Sequence, residues 1–164
     1  MRIGYGYDSH RFEENRRLVL GGVEIPHPFG MKAHSDGDVL LHAVIDALLG
    51  AAALGDIGSH FPDSAAEWKN ADSAKLLESV VTEIHAAGYT VGNLDVTVIC
   101  EAPRLRPHVE RIRARIAELL EIDVSRVSVK GKTNEKMDDV GAGVGIEVHA
   151  VTLLDELSPG SAAK

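Results

Sequence analysis

Cysteine is almost absent: Cys100 stands alone among 164 residues, so no internal disulfide can staple the chain, and a reducing cytoplasm suits it. Aromatic residues are only 4%, which leaves Val, Leu, Ile and Ala to build the core. No apolar run approaches the roughly 18 residues that a membrane-spanning helix needs, and the N-terminus reads straight into patterned sequence without the look of a targeting segment. Positive charge is short too. Lys and Arg number 17 against 25 Asp and Glu, a formal charge of −8, the wrong sign for non-specific binding to nucleic acid or to a membrane surface. Any phosphate bound here must therefore be held locally, by a metal or by backbone amides.

What remains is ordinary in amount. Hydrophobic residues at 45% and charged residues at 26% exclude a disordered, collagen-like or coiled-coil chain. The length suits one domain, and a chain of this size buries about 70% of the surface that its unfolded form exposes. Less ordinary are the eight histidines, five of which (His10, His27, His34, His42 and His60) fall in the first 60 residues.

Residues 2–10 and 18–26 carry short β-prone runs, the second broken by Gly21-Gly22, which reads as strands or a hairpin with a turn. From Asp38 to Leu54 the sequence is apolar nearly all round, so a helix there should be sandwiched between other elements, with Asp36 or Asp38 as its cap. Phe61 to Ala71 reads as a long loop. A second helix runs from Asp72 towards Gly88, with Leu76, Leu77, Val80, Val81 and Ile84 as its stripe. A buried strand is expected at 94–100, a third helix after Pro107, and strands near 126–131 and 145–154. This order implies a single α+β (α/β) domain over residues 1–154, a mixed β-sheet with helices packed on one face, followed by a small polar tail at 155–164.

If residues 2–10 are a strand, Asp8 and His10 project to the same side as a two-point claw. His42, near the start of an otherwise apolar helix, is the best third donor, and one carboxylate with two imidazoles suits zinc with one position left open. The remaining histidines, His27, His60, His85, His108 and His149, read as ordinary structural residues. Asp46, one turn past His42, either orients an imidazole or is a helix-face carboxylate with a basic partner. Asp56 between Gly55 and Gly58 is either a ligand contact or turn chemistry. The stretch Lys130 to Lys136 is no Walker loop; it either holds phosphate oxygens, with Glu135 sharing a hard cation, or is a solvated charged loop. Cys100 reads as packing.

Together these blocks are more specific than any one of them. Met1 to His10, His34-Ser35-Asp36-Gly37-Asp38 to His42, Asp46 to Gly58, Phe61-Pro62-Asp63, Ala71-Asp72-Ser73, Ala102-Pro103-Arg104-Leu105 with Pro107-His108, and Lys130 to Glu135 resemble the 2-C-methyl-D-erythritol 2,4-cyclodiphosphate synthase family of the non-mevalonate isoprenoid pathway. The resemblance implies a homotrimer with each active site shared between neighbouring subunits. It implies Asp8, His10 and His42 as ligands of one zinc ion per subunit, and Glu135 on Mg2+ or Mn2+ bound with the substrate diphosphate. Asp8, Ser9, His10, His34, Ser35, Asp56, Ile57, Gly58, Phe61, Pro62, Asp63, Ser64 and Ala65 match positions around the methylerythritol phosphate. Cys100, Glu101, Ala102, Pro103, Arg104, Leu105 and Arg106 match the cytidine pocket, and Lys132, Thr133, Asn134 and Glu135 the phosphate positions. His34 and Thr133 match the family's transition-state stabilisers.

In that family the substrate's own 2-phosphate attacks the β-phosphorus of a cytidyl diphosphate and expels CMP, so no protein nucleophile is required. Asp139, Ala142 and Val144 depart from the aromatic, Arg and Glu that many members carry near the trimer axis; Ala65 replaces an Asp and Lys132 a Thr. Two other readings compete: a zinc phosphatase or phosphodiesterase that activates water, and a trimeric module in which zinc is structural.

Overall fold

The segment with no polar face lies at the centre of the molecule. The computed structural model describes residues 1–62, 64–68 and 70–157. In it α1 (Val39–Ala52) is sealed on all sides, with Val39, Leu40, Leu41, Val44, Ile45, Leu48 and Leu49 wholly buried. Each such large side chain contributes about 1.5–3 kcal/mol on burial, so core packing rather than helix propensity holds α1.

Among the described residues, seven strands and four further α-helices surround it: β1 (Arg2–Glu14), β2 (Leu18–Leu20), β3 (Val23–Ile25), β4 (Phe29–Met31), α2 (Ile57–His60), α3 (Ser73–Ala86), β5 (Tyr89–Ile99), α4 (Val109–Leu119), β6 (Val127–Lys132), α5 (Asp138–Gly141) and β7 (Gly145–Glu156). The main sheet has the order β4-β1-β7-β5-β6, antiparallel except for the parallel β5–β6 pair. It is the expected mixed sheet, with α1 on β1 and β7, α3 beside α1 and reaching β5, and α4 on β6. The opposite face of the sheet is uncovered and carries Ile3, Tyr5, Tyr7 and Val151, all exposed.

Several elements differ from expectation. β1 runs four residues past its expected end, β5 begins directly after Gly88 with an irregularity between Val91 and Asn93, and β7 continues to Glu156, paired with Tyr89. The short edge strand β4 and the single-turn helices α2 and α5 carry too few residues to show a period. β2 and β3 form the hairpin, turning through Gly21 and Gly22 at φ 62° and 71°, the paired left-handed turn that two-residue hairpins favour. The tail residues 158–164 lie outside the described residues.

Two close approaches fix β1 on α1. A Cβ on Gly4 would fall 1.9 Å from the Ala47 carbonyl oxygen, and one on Gly6 2.0 Å from that of Ala43, so only glycine lets the strand backbone lie directly on the helix. Asp8 and His10, next on the same strand face, are thereby carried to the N-terminal end of α1, where His42 stands.

That end is pinned by two aspartates with different tasks. Asp38 is the cap: wholly buried, it accepts from the Leu41 amide at 3.0 Å and from Gly21 and Gly22 at 2.9 and 2.6 Å, tying the hairpin turn to the helix start. Burial pushes its carboxyl up, against those three amides. Asp36 instead accepts from the amide and hydroxyl of Ser73, at the head of α3.

Candidate metal centre and adjoining cavities

Three donor atoms from two stretches of chain, β1 and the start of α1, meet at this end of the sheet. His10 Nε2 lies 2.9 Å from Asp8 Oδ2, His42 Nδ1 lies 3.0 Å from the same oxygen, and the two nitrogens are 3.3 Å apart. A tetrahedral ion with ligand bonds of roughly 2.0–2.1 Å spaces its donors about 3.3–3.4 Å apart, so the triangle is close to the size such an ion requires. The chemistry of the donors agrees. His10 Nδ1 lies 2.8 Å from the Lys32 carbonyl, which only accepts, so a ring proton sits there and Nε2 is the nitrogen that can ligate an ion. Burial by itself would raise the Asp8 carboxyl; contacts with His10 and His42 outweigh it and hold the group well below the usual carboxylate range. Two imidazole nitrogens converging on one carboxylate oxygen can bind a cation in place of the protons between them, and these three are the only such cluster among the described residues. Among the described residues no fourth side chain closes it, so a coordination position stays open.

The open side faces a cavity of about 410 Å³ whose wall includes His34, Ser35, Asp46, Ile57, Gly58, Phe61 and Trp68. The His34 ring lines this cavity, and its Nε2 is buried without a hydrogen-bond partner among the described residues. The loop carrying His34 and Ser35 is clamped by Arg16, which donates to the carbonyls of Ala33 at 2.7 Å and Ser35 at 2.6 Å. Among the described residues Asp46 has no imidazole or basic hydrogen-bond partner: it accepts from the Ile57 amide at 2.8 Å and anchors α2 to the cavity wall, and burial raises its carboxyl. Asp56 caps α2 in a reciprocal box with Ser59, so turn chemistry accounts for its side chain, while Ile57 and Gly58 line the cavity. Ser64 and Ala65 are not part of that wall, and Asp63 lies outside the described residues.

A second cavity, about 460 Å³, lies between the segment after β5 and the end of β6 and is lined by Cys100, Glu101, Pro103, Arg104, Leu105, Arg106, Lys132 and Thr133. The Cys100 thiol, pushed up to about 11 by burial and then by the Glu101 charge, donates to the Pro103 carbonyl and is a packing group. Glu101 turns to the protein, accepting from the Asn134 and Lys136 amides at 3.0 and 3.3 Å. Thr133 donates to Glu135 at 2.6 Å; Asn134 and Glu135 border the cavity without lining it. Ser9 faces a third hollow, where Arg11 pairs with Asp139 at 2.9 Å.

The first two cavities share no residue. Register places both at one end of the sheet: His10 is opposite Ile146, Glu147 opposite Ile99, and Ile99 opposite Lys132. Three strand spacings separate β1 from β6, roughly 14 Å. Sequence reasoning passed over Arg16 and Trp68 and gave Ser73 no role. The lone Trp of an aromatic-poor chain, packed edge-on against Phe61 with centroids 5.1 Å apart, was the one available signal.

An α+β domain with an open carboxylate and two-imidazole centre beside a cavity defines a metal-dependent enzyme. Residues 1–155 match the model of the YgbB family, and the chain belongs to that family. It is 58% identical over 154 residues to a protein of Stutzerimonas stutzeri named 2-C-methyl-D-erythritol 2,4-cyclodiphosphate synthase, covering 94% of this chain and 98% of the relative. A protein of the same name from Brachyspira hyodysenteriae is 53% identical over the same shares. Among solved structures, the bifunctional IspDF of Campylobacter jejuni superposes with a TM-score of 0.93 at 40% identity; the match covers 96% of this chain and 42% of that longer protein. The Plasmodium falciparum IspF in complex with CDP gives 0.84 at 38% identity, covering 96% of this chain and 97% of that one.

Proposed function

We propose that the protein is a 2-C-methyl-D-erythritol 2,4-cyclodiphosphate synthase of isoprenoid biosynthesis. It converts 4-diphosphocytidyl-2-C-methyl-D-erythritol 2-phosphate to the 2,4-cyclodiphosphate and CMP. The observation that carries the reading is the open triangle of Asp8, His10 and His42 at the mouth of a cavity, in a chain whose relatives bear that name.

The chemical obstacle is bringing one anionic phosphate onto another, and the residues divide that task. Asp8, His10 and His42 hold zinc, and what zinc supplies there when bound is a Lewis-acid position for phosphate oxygens. Glu135 fits Mg2+ or Mn2+, hard cations that take one or two carboxylates together with substrate phosphates. His34, whose ring lines the first cavity and whose Nε2 has no partner among the described residues, and Thr133, in the wall of the second, donate to oxygens that gain charge as the ring closes. Ser35, Ile57, Gly58 and Phe61 hold the methylerythritol end, and Phe61 with Trp68 shields it from water. The wall from Cys100 to Arg106 takes the cytidine, and Arg104, Arg106 and Lys132 offset the phosphate charge that an acidic protein would otherwise repel. The working unit is a homotrimer with active sites between subunits. The uncovered apolar sheet face supports this, as does the separation of the two cavities within one chain. The single buried thiol suits a cytoplasmic location.

Incubating the purified protein with the cytidyl substrate, zinc and magnesium should release CMP in equal amount with the cyclic diphosphate. Inorganic phosphate or a ring-opened hydrolysis product would instead mark a phosphatase or phosphodiesterase, and no turnover would exclude both.

A further inference from the structure

The metal centre is oriented from behind by groups that touch neither its cavity nor its ligating atoms. Asp36 is held by two donors that can only donate: the Asp38 amide reaches Oδ1 at 3.1 Å and the Ser73 amide reaches Oδ2 at 3.0 Å. The Ser73 hydroxyl lies 2.5 Å from Asp36 Oδ1, and a carboxylate only accepts, so the one hydroxyl proton is spent on Asp36. Ser73 Oγ then offers lone pairs to its other neighbour, His42 Nε2, 3.0 Å away. Ser73 is wholly buried, so no water competes for it. Ser35 Oγ also lies 3.2 Å from His42 Nε2, but it accepts from the Gly37 amide and keeps a rotatable proton, so by itself it does not choose between ring forms.

Resting on the metal reading of Asp8, His10 and His42, we infer that Asp36 and Ser73 form a relay that fixes the tautomer of His42, keeping its proton on Nε2 and its Nδ1 lone pair on the metal. Both are positioning residues. His10 is set by a backbone carbonyl, that of Lys32, whereas His42 is set by a carboxylate acting through a hydroxyl. A partner behind a ligating imidazole typically changes metal affinity by about 10–100-fold. The relay also links the Asp72-Ser73 helix start to the His34–Asp38 segment, two stretches that no local pattern connects.

Zinc affinity is measured by competition with a chromophoric chelator. The His42 tautomer is read from two-bond proton–nitrogen correlations of the metal-free, nitrogen-15 histidine-labelled protein. The wild type should show His42 protonated at Nε2. Ser73→Ala should weaken zinc binding roughly 10–100-fold while the metal-free protein still folds, with a melting temperature lowered by the lost buried hydrogen bonds. In Asp36→Asn the new NH2 meets a backbone N–H in either orientation, so the carboxylate that fixes the Ser73 hydroxyl is lost and zinc affinity should fall. A wild-type His42 whose Nε2 carries no proton, or a Ser73→Ala affinity within twofold of wild type, overturns the relay. If a variant fails to fold, the wild-type spectrum decides alone. His42→Ala separates the two claims: zinc binding that survives it overturns the metal reading itself, whereas binding lost there and retained in Ser73→Ala overturns the relay only.

Discussion

Gly6→Ala should damage the metal centre without touching any of its ligands. The added Cβ would sit 2.0 Å from the Ala43 carbonyl oxygen and 2.6 Å from the Ala47 nitrogen, both backbone atoms of α1 that cannot swing aside. A carbon–oxygen contact needs roughly 3.3 Å, so strand and helix must part by about 1.3 Å. Overpacking of this kind costs typically 1–3 kcal/mol, and a backbone obstacle puts the cost near the top of that range. For a chain of this size, about 3 kcal/mol lowers the melting temperature by roughly 6–12 °C. Asp8 and His10 ride on the strand that moves and His42 on the helix that stays. Because the His42 edges of the triangle are 3.0 and 3.3 Å, an opening near 1 Å takes His42 out of reach of an ion still held by the other two. The assays are a thermal melt with and without zinc and a chelator competition. A melting temperature within 2 °C of wild type together with zinc affinity within about twofold would refute the reasoning that glycine sets the strand–helix distance.

His42→Ala or Asp8→Ala should lower bound zinc and CMP release together while far-ultraviolet circular dichroism stays that of the parent; normal turnover by either would remove the residue from the site. Glu135→Gln should lose magnesium dependence or rate and retain zinc, and an unchanged magnesium titration would count against it. Because the Cys100 thiol is raised to about 11, its thiolate fraction grows tenfold per pH unit up to that point. Alkylation of the folded protein should therefore be slow at pH 7.5 and quicken towards pH 10, whereas rapid modification at neutral pH would show an accessible, activated thiol.

The parts legible in the sequence are those where a local period carries the message. The alternation Gly4, Gly6, Asp8, His10 puts four residues on one strand face, and the apolar run after Asp38 makes α1 a core helix, so the triad could be assembled from two segments. Edge strand β4, with three residues, and α2, with four, are shorter than any window in which a period shows. The supports of the site were hidden for another reason. Arg16 reaching Ala33 and Ser35, and Ser73 reaching Asp36 and His42, join residues 17 to 37 positions apart through side chains whose types are common everywhere. Asp46 and Asp56 were undecided because a carboxylate beside glycine serves a ligand or an amide equally well. Only the fold, which brings the Ile57 amide to Asp46 and Ser59 to Asp56, separates the two.

The central claim is that one metal ion is held between the first strand and the core helix. Anomalous diffraction at the zinc edge from crystals grown with zinc tests it most directly. The peak should lie about 2.0–2.2 Å from Asp8 Oδ2, His10 Nε2 and His42 Nδ1, with its remaining coordination open to the cavity. A peak elsewhere on the protein, or a fourth protein ligand closing the site, would contradict the account.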